Sequence, residues 1–427
     1  MDLSPAVDGD SAAAKAAQLA FLTTLEILTE GRLQDMESML ATARFASSSC
    51  SGALTAEMAR AVLQKVVNES GSVSFRMNIK SELNQHCHHI MAESHDWCNR
   101  VTGETLASHP MPHVFGDLLE QVPGGSYNPA DRFHEKARAI SLAWLNQSQE
   151  CKVHDGFCWI QPVDLDISGL PCTDNSRSSL KKYEELRLDV ITLLLGDHFF
   201  LWQLWVDAED GGHNGVSRKR TFVICSHQDR TSCMYDPFEL YAAIAARVKK
   251  HIATKPSDYV TATDDEILRE ASHVALVRGV QFRPHELDLT YLLNKRELTC
   301  IDDFKSKYAE LYPGTSAEDD PDLVCFLGDS TGNRYTWSGT SGKISTFRLN
   351  AKTGKYFLPH CKRWLTAGDR LGAMGFPVRQ NVAEAMGVPQ IPILDAARAG
   401  DLAGNAMHFN NAAIAQLVAM SCFRLLY

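Results

Sequence analysis

Between residues 44 and 225 the chain switches repeatedly between short stretches of period-2 polarity and longer stretches of helical spacing. Residues 44–50 read as a short strand followed by Ser51-Gly52, and residues 55–68 put Ala59, Val62, Leu63 and Val66 on one helical face. Gly71 ends that helix. Residues 73–79 (V-S-F-R-M-N-I) alternate as a second strand, 82–93 read as a helix, and 113–116 form a third strand leading into Asp117. A helix over 130–149 precedes 162–176, where Val163, Leu165 and Ile167 alternate with Asp164, Asp166 and Ser168. Gly169 breaks that fourth strand, and Pro171-Cys172 puts a thiol at its carboxyl end, where open α/β sheets bind ligands. The rhythm predicts a doubly wound parallel sheet.

The flanking segments follow other patterns. Residues 1–43 are a helical lead-in with no chemistry assigned. Residues 178–195 are helix-like, and Arg218-Lys219-Arg220 runs into a strand at 221–225, so the two arginines share a face. From 226 to 342 the β–α rhythm is lost. Helical pieces at 237–251, 264–274 and 301–311 and an acidic loop at 318–322 predict a separate insertion. Residues 343–427 return to the first domain, and an apolar helix at 411–426 should bury Phe423 and Leu426.

The 427 residues are 44% hydrophobic and 22% charged, the composition of an ordinary globular protein. No apolar run approaches the roughly 20 residues of a membrane span, and the amino terminus lacks the layout of a secretory signal. Twelve cysteines occur without a C-x-x-C pair, so a reducing compartment, nuclear or cytoplasmic, is expected. His86, Cys87, His88, His89, His95 and Cys98 are clustered, but neighbours on a helix diverge, and no metal site is predicted. Net charge is −10, yet Arg334–Arg379 carries nine cations against Asp369 alone. Lys343, Arg348, Lys362 and Arg363 in that stripe are candidate contacts to a nucleic-acid backbone.

Ser51-Gly52, Glu82 and Asp117 follow the first three strands, where a glycine turn and two acids suit a nucleoside. The alternative for each acid is a cap or surface role, and for Cys172 a buried structural thiol.

These pieces together resemble the cytosine-5 DNA methyltransferases, most like divergent members from protists or algae. The resemblance covers about 44–225 and 337–427. Ser51-Gly52 matches the cofactor loop, Glu82 the ribose-binding acid, Asp117 the adenine contact and Pro171-Cys172 the catalytic pair. Arg218 and Arg220 match Arg-x-Arg. Arg363, Leu365 and Thr366 with Gly375-Phe376-Pro377 match R-x-L-T…G-F-P, and Gly404-Asn405 matches the closing Gly-Asn motif. The resemblance implies a Rossmann-like S-adenosyl-L-methionine-dependent methyltransferase fold with an inserted target-recognition domain. It implies methyl transfer to carbon 5 of cytosine in DNA. Cys172 would be the nucleophile, its thiol activated by Arg218 or Arg220. Ser51, Gly52, Glu82, Asp117, Gly404 and Asn405 would hold the cofactor.

The chain also departs from the family. The cofactor loop has one glycine, Thr173 follows the cysteine, Val216 stands where glutamine is usual, and Asp369 replaces a glutamate. The Glu-Asn-Val tripeptide is missing, which points to a deletion near 189–195. A catalytically inactive nucleic-acid-binding homologue and an RNA (tRNA) cytosine-5 methyltransferase are therefore kept as alternatives.

Overall fold

The structure, a computed structural model, describes residues 45–49, 54–68, 76–81, 85–168, 191–192, 195–348, 354–393 and 395–426. It is a mixed α/β protein. The amino-terminal part holds β1 (Phe45–Ser49), α1 (Thr55–Asn68), β2 (Arg76–Ser81), α2 (Gln85–Thr102), β3 (His113–Phe115), α3 (Phe133–Ser141), β4 (Ser148–Cys151), β5 (Gly156–Trp159) and β6 (Leu165–Ser168). The six strands form one sheet in the order β5-β4-β3-β2-β1-β6. β3, β2, β1 and β6 are parallel, with Phe45 opposite Arg76, Ile79 opposite His113 and Ala46 opposite Leu165. The β4–β5 hairpin joins the β3 edge antiparallel, Phe115 facing Cys151.

The expected helix over 55–68 is met residue for residue. It buries Ala56, Met58, Ala59, Ala61, Val62 and Leu63, and packs against α2. β1 is a strand of small polar residues with Ser47 and Ser48 buried. Its hydroxyls are satisfied by acids: Ser47 Oγ donates to Asp166 at 2.5 Å and Ser48 Oγ donates to Glu57. Leu54, just before α1, is fully buried at a φ of 61°. That left-handed backbone costs a side-chain-bearing residue about 1–2 kcal/mol. Packing against Met91 and Val114 offsets it, since burying a leucine is worth about 1.5–3 kcal/mol.

The helix expected over 130–149 instead stops at Ser141, and the chain re-enters the sheet as β4. β4 is hard to read as a strand because its buried face is Gln149 and Cys151 rather than aliphatic. Gln149 is held by its amide, which donates to Asp117 O at 2.7 Å and to Glu120 at 2.9 Å.

The remaining elements are β7 (Phe199–Val206), β8 (Arg220–His227), β9 (Thr231–Cys233), α4 (Pro237–His251), α5 (Asp264–Arg278), α6 (Lys295–Leu311), β10 (Cys325–Phe326), β11 (Tyr356–Leu358), β12 (Arg363–Trp364), α7 (Ala367–Ala373), α8 (Gln380–Met386), α9 (Ala396–Asn405), α10 (Phe409–Cys422) and β13 (Phe423–Leu425). β7 pairs with β8, β11 lies antiparallel between β10 and β12, and β13 is antiparallel to β9. Thr263 with Glu266 forms the capping box that starts α5, and Asn294 with Glu297 the one that starts α6. The carboxyl-terminal helix ends at Cys422, earlier than expected. Phe423 is buried as anticipated, but Leu426 follows the strand and is 54% exposed.

The chain forms two compact units. The first comprises Trp205–Arg220 and Ala242–Ile414 among its described residues. Its core gathers Ile267, Leu292, Phe304, Leu323, Trp337 and Trp364. From Ala242 on, the stretch expected as an insertion therefore shares a unit with residues 343–414. The second comprises the described residues of Thr24–Leu204 and Ala415–Tyr427, with Thr221–Tyr241. It contains the six-stranded sheet, and Gln416 of α10 donates to Ala56 O at 2.9 Å. Among the described residues, no helix is long and apolar enough to cross a membrane.

Candidate functional site

Several candidate residues (Ser51, Gly52, Glu82 and Cys172) lie outside the described residues, as does most of 189–195. In the six-stranded unit Asp117 is described, two residues beyond β3. Its Oδ1 accepts the Leu119 N–H at 2.9 Å and so caps the short 3-10 turn Leu118–Gln121.

In the other unit one side chain joins two of the sequence motifs. Arg218 is fully buried. Its backbone N–H donates to Asp207 Oδ1 at 2.7 Å. Its guanidinium donates to Phe347 O at 3.0 Å, to Gly404 O at 2.9 Å and to Ala406 O. The arginine of Arg-x-Arg and the closing Gly-Asn are thus tied directly, across 186 positions of sequence. A planar fork of donors suits several carbonyls at once, which a lysine could not match. The Arg218 charge is committed to these buried carbonyls, and the Cys172 thiol it was expected to activate lies outside the described residues. Arg220 opens β8 half-buried and donates to Lys219 O at 2.7 Å. Gly404 and Asn405 are the last two residues of α9, the first half-buried and the second exposed.

Beside Arg218 lies a buried polar cluster that the sequence reading missed. His213 and His408 are both about 1% exposed, with ring centroids 4.6 Å apart. Tyr259 OH lies 3.0 Å from His213 Nδ1 and 2.7 Å from Thr254 Oγ1. Asn410 Nδ2 lies 3.4 Å from His213 Nε2 and donates to Gly211 O at 3.0 Å. His408 stood next to a recognised motif, in G-N-A-M-H, and its short distance from Gly404 was the available signal.

Burial pulls the His213 pKa down to about 3. Burial, and then the neighbouring His213 ring and the Arg218 charge, hold His408 well below its ordinary value. Both rings are neutral when folded, whereas the unfolded chain regains values near 6.5. Below about pH 6.5 the unfolded state therefore binds more protons, and stability falls as pH drops toward about 3. A lower melting temperature at pH 5 than at pH 7 is expected, with a loss of up to about 1.4 kcal/mol per histidine per pH unit. His408→Asn should flatten that slope in thermal melts; an unaltered slope would count against the assignment.

The basic stripe is rearranged by folding. Of its eight described cations, six form ion pairs: Arg334 and Arg348 with Asp329, Lys343 with Glu209, Lys362 with Asp288, Arg363 with Asp369, and Arg379 with Glu266. Lys355 sits 4.4 Å over the Trp364 ring with its pKa lowered to about 8 by burial, and Arg370 is buried. Arg363 is only 5% exposed and donates to Asp369 at 2.8 Å, so it is committed to the interior rather than to a phosphate. Lys343 and Arg348 are part-exposed but paired, and Lys362 remains the most exposed of the four candidates, its side chain 55% accessible and 3.7 Å from Asp288. Glu209, Glu266 and Asp288 come from far along the chain, whereas Asp329 lies just before the stripe and Asp369 within it.

The R-x-L-T signature has a structural use here. Thr366 Oγ1 accepts the Asp369 N–H at 3.1 Å while Asp369 Oδ2 accepts the Thr366 N–H at 3.0 Å, a capping box that starts α7. Asp369 performs that reciprocal bond with a side chain one methylene shorter than the glutamate usual in a capping box.

No protein-family profile matches the chain, and no curated protein matches it.

Proposed function

We propose that the protein is an S-adenosyl-L-methionine-dependent methyltransferase homologue acting on carbon 5 of cytosine in DNA, built on a Rossmann-like sheet. One observation carries the reading: the parallel order β3-β2-β1-β6. Four of the candidate positions follow those four strands in turn: Ser51-Gly52 after β1, Glu82 after β2, Asp117 after β3 and Cys172 after β6. Parallel strands open their carboxyl ends on one edge of a sheet, and ligands of open α/β sheets bind at that edge. The left-handed backbone of Leu54, between β1 and α1, adds strain at the turn where a cofactor loop is expected.

The described part of that edge suits a nucleoside. Asp117 offers a carboxylate at a strand end, an acceptor to which an amino or hydroxyl group of a nucleoside can donate. Ser51, Gly52, Glu82 and Asp117 would hold the cofactor, which supplies an electrophilic methyl group when bound. Cys172, as thiolate, adds to carbon 6 of the cytosine ring and raises electron density at carbon 5. Carbon 5 would then take the methyl group, and loss of its proton would expel Cys172 as thiolate. The base must leave the helical stack to reach the thiol, at a cost of a few kcal/mol.

Radiolabelled methyl transfer to duplex DNA is the test, together with trapping on 5-fluorocytosine DNA. Cys172→Ser is expected to abolish the covalent adduct while leaving cofactor binding, followed by calorimetry, within about twofold. Cofactor binding without an adduct in the unaltered protein would favour the inactive homologue, and transfer to tRNA alone would favour the RNA enzyme. Absence of cofactor binding would sink the proposal.

A further inference from the structure

The edge hairpin of the six-stranded sheet brings together four side chains that no motif had linked. In an antiparallel pair, residues opposite one another share a face, and so do residues two apart. Cys151 faces Gly156 across the hairpin and Gln149 faces Cys158, so Cys151 and Cys158 are diagonal neighbours on one face. Phe115 faces Cys151, which places His113, two residues earlier on β3, on that face too. The turn at 152–155 carries His154 back over it. Gly156 ends the turn at a φ of 141°, a backbone conformation that a side chain would strain.

One ligand atom from each of His113, Cys151, His154 and Cys158 lies within 4.8 Å of every other. His154 Nδ1 is 3.4 Å from Cys151 Sγ and 3.6 Å from Cys158 Sγ, and His113 Nδ1 is 3.8 Å from Cys151 Sγ. With zinc–sulfur bonds of about 2.3 Å and zinc–nitrogen bonds of about 2.0–2.1 Å, a tetrahedron has sulfur–nitrogen edges of about 3.5 Å. The three distances fall close to that edge. Stacking on Phe115, 6.0 Å between centroids, orients the His113 ring. The Val153 N–H lies 3.4 Å from Cys151 Sγ, a donor of the kind that supports a metal-bound thiolate.

We propose that His113, Cys151, His154 and Cys158 bind one zinc ion in a closed, structural Cys2His2 site that pins the β4–β5 hairpin to β3. Four protein ligands leave no open position, so the ion serves folding rather than catalysis. The ligand spacing C-x2-H-x3-C was present in the sequence, but the fourth ligand lies 38 positions before Cys151. The proposal is independent of the methyltransferase reading.

The test uses the full chain, purified reduced and without a metal-affinity step. Elemental analysis is expected to find about one zinc per chain. Cobalt substitution should give the intense visible bands of a tetrahedral thiolate site. Cys151→Ser with Cys158→Ser should remove both signals, whereas Cys87→Ser should remove neither. Because the double variant could misfold, the unaltered protein supplies a second measurement. Adding zinc to the stripped chain should slow alkylation of Cys151 and Cys158 at least tenfold while leaving the exposed Cys225 and Cys233 unchanged. Failure of the stripped chain to take up zinc, or equal alkylation with and without it, would overturn the proposal. So would a Cys151–Cys158 disulfide that persists under reducing conditions.

Discussion

Asp369→Ala is expected to destabilise the protein by about 3–5 kcal/mol, read as a shift of the urea midpoint followed by circular dichroism. The carboxylate is fully buried and takes five donors. Oδ1 accepts the N–H groups of Thr261 at 2.9 Å and Ala262 at 2.8 Å, and Arg379 at 3.4 Å. Oδ2 accepts Arg363 at 2.8 Å and the Thr366 N–H at 3.0 Å. Removing it leaves the Arg363 charge buried without its partner and strips the α7 cap, and the unpaired charge is the larger cost. Replacing both partners, Arg363→Met with Asp369→Leu, should cost less than Asp369→Ala alone, since no lone charge is then buried. A loss below about 1 kcal/mol for Asp369→Ala would show that the network holds little. It would also return Arg363 to the list of residues able to meet a phosphate.

Arg218→Met is expected to cost about 3 kcal/mol or more, because three carbonyls lose a shared charged donor in a buried setting. Arg218→Lys should recover only part of this, since an ammonium group does not reproduce the planar fork. The change should be local. Hydrogen exchange is expected to accelerate at the amides of 404–408 and 344–348, the two segments the guanidinium holds. If stability and exchange stay unaltered while methyl transfer is lost, Arg218 acts on the reaction rather than on the fold.

Much of the local structure was legible in the sequence. The helices at 55–68 and 237–251 have the bounds that their apolar spacing predicts. β1 and β3 lie within a residue of their expected limits, because alternation and flanking glycines mark strand ends. β7 was missed. Its F-F-L-W-Q-L-W-V run is apolar at almost every position, which hides the period, and Trp205 is 74% exposed while Leu204 and Val206 are buried. It begins after 189–195, the stretch near which the sequence had suggested a deletion. The candidate site was legible only in part: Arg218 and Gly404-Asn405 were singled out separately, but not the bond between them or the histidines beside it.

The sequence by itself determined the bounds of elements such as the helices at 55–68 and 237–251, because glycines and apolar period act within a few residues. Only the tertiary structure decided what the charges and thiols do. Arg379 meets Glu266 across 113 positions, Arg218 meets Gly404 across 186, and His113 meets Cys151 across 38. Such partners are chosen by which faces the packed elements turn toward each other, a condition that no local pattern encodes.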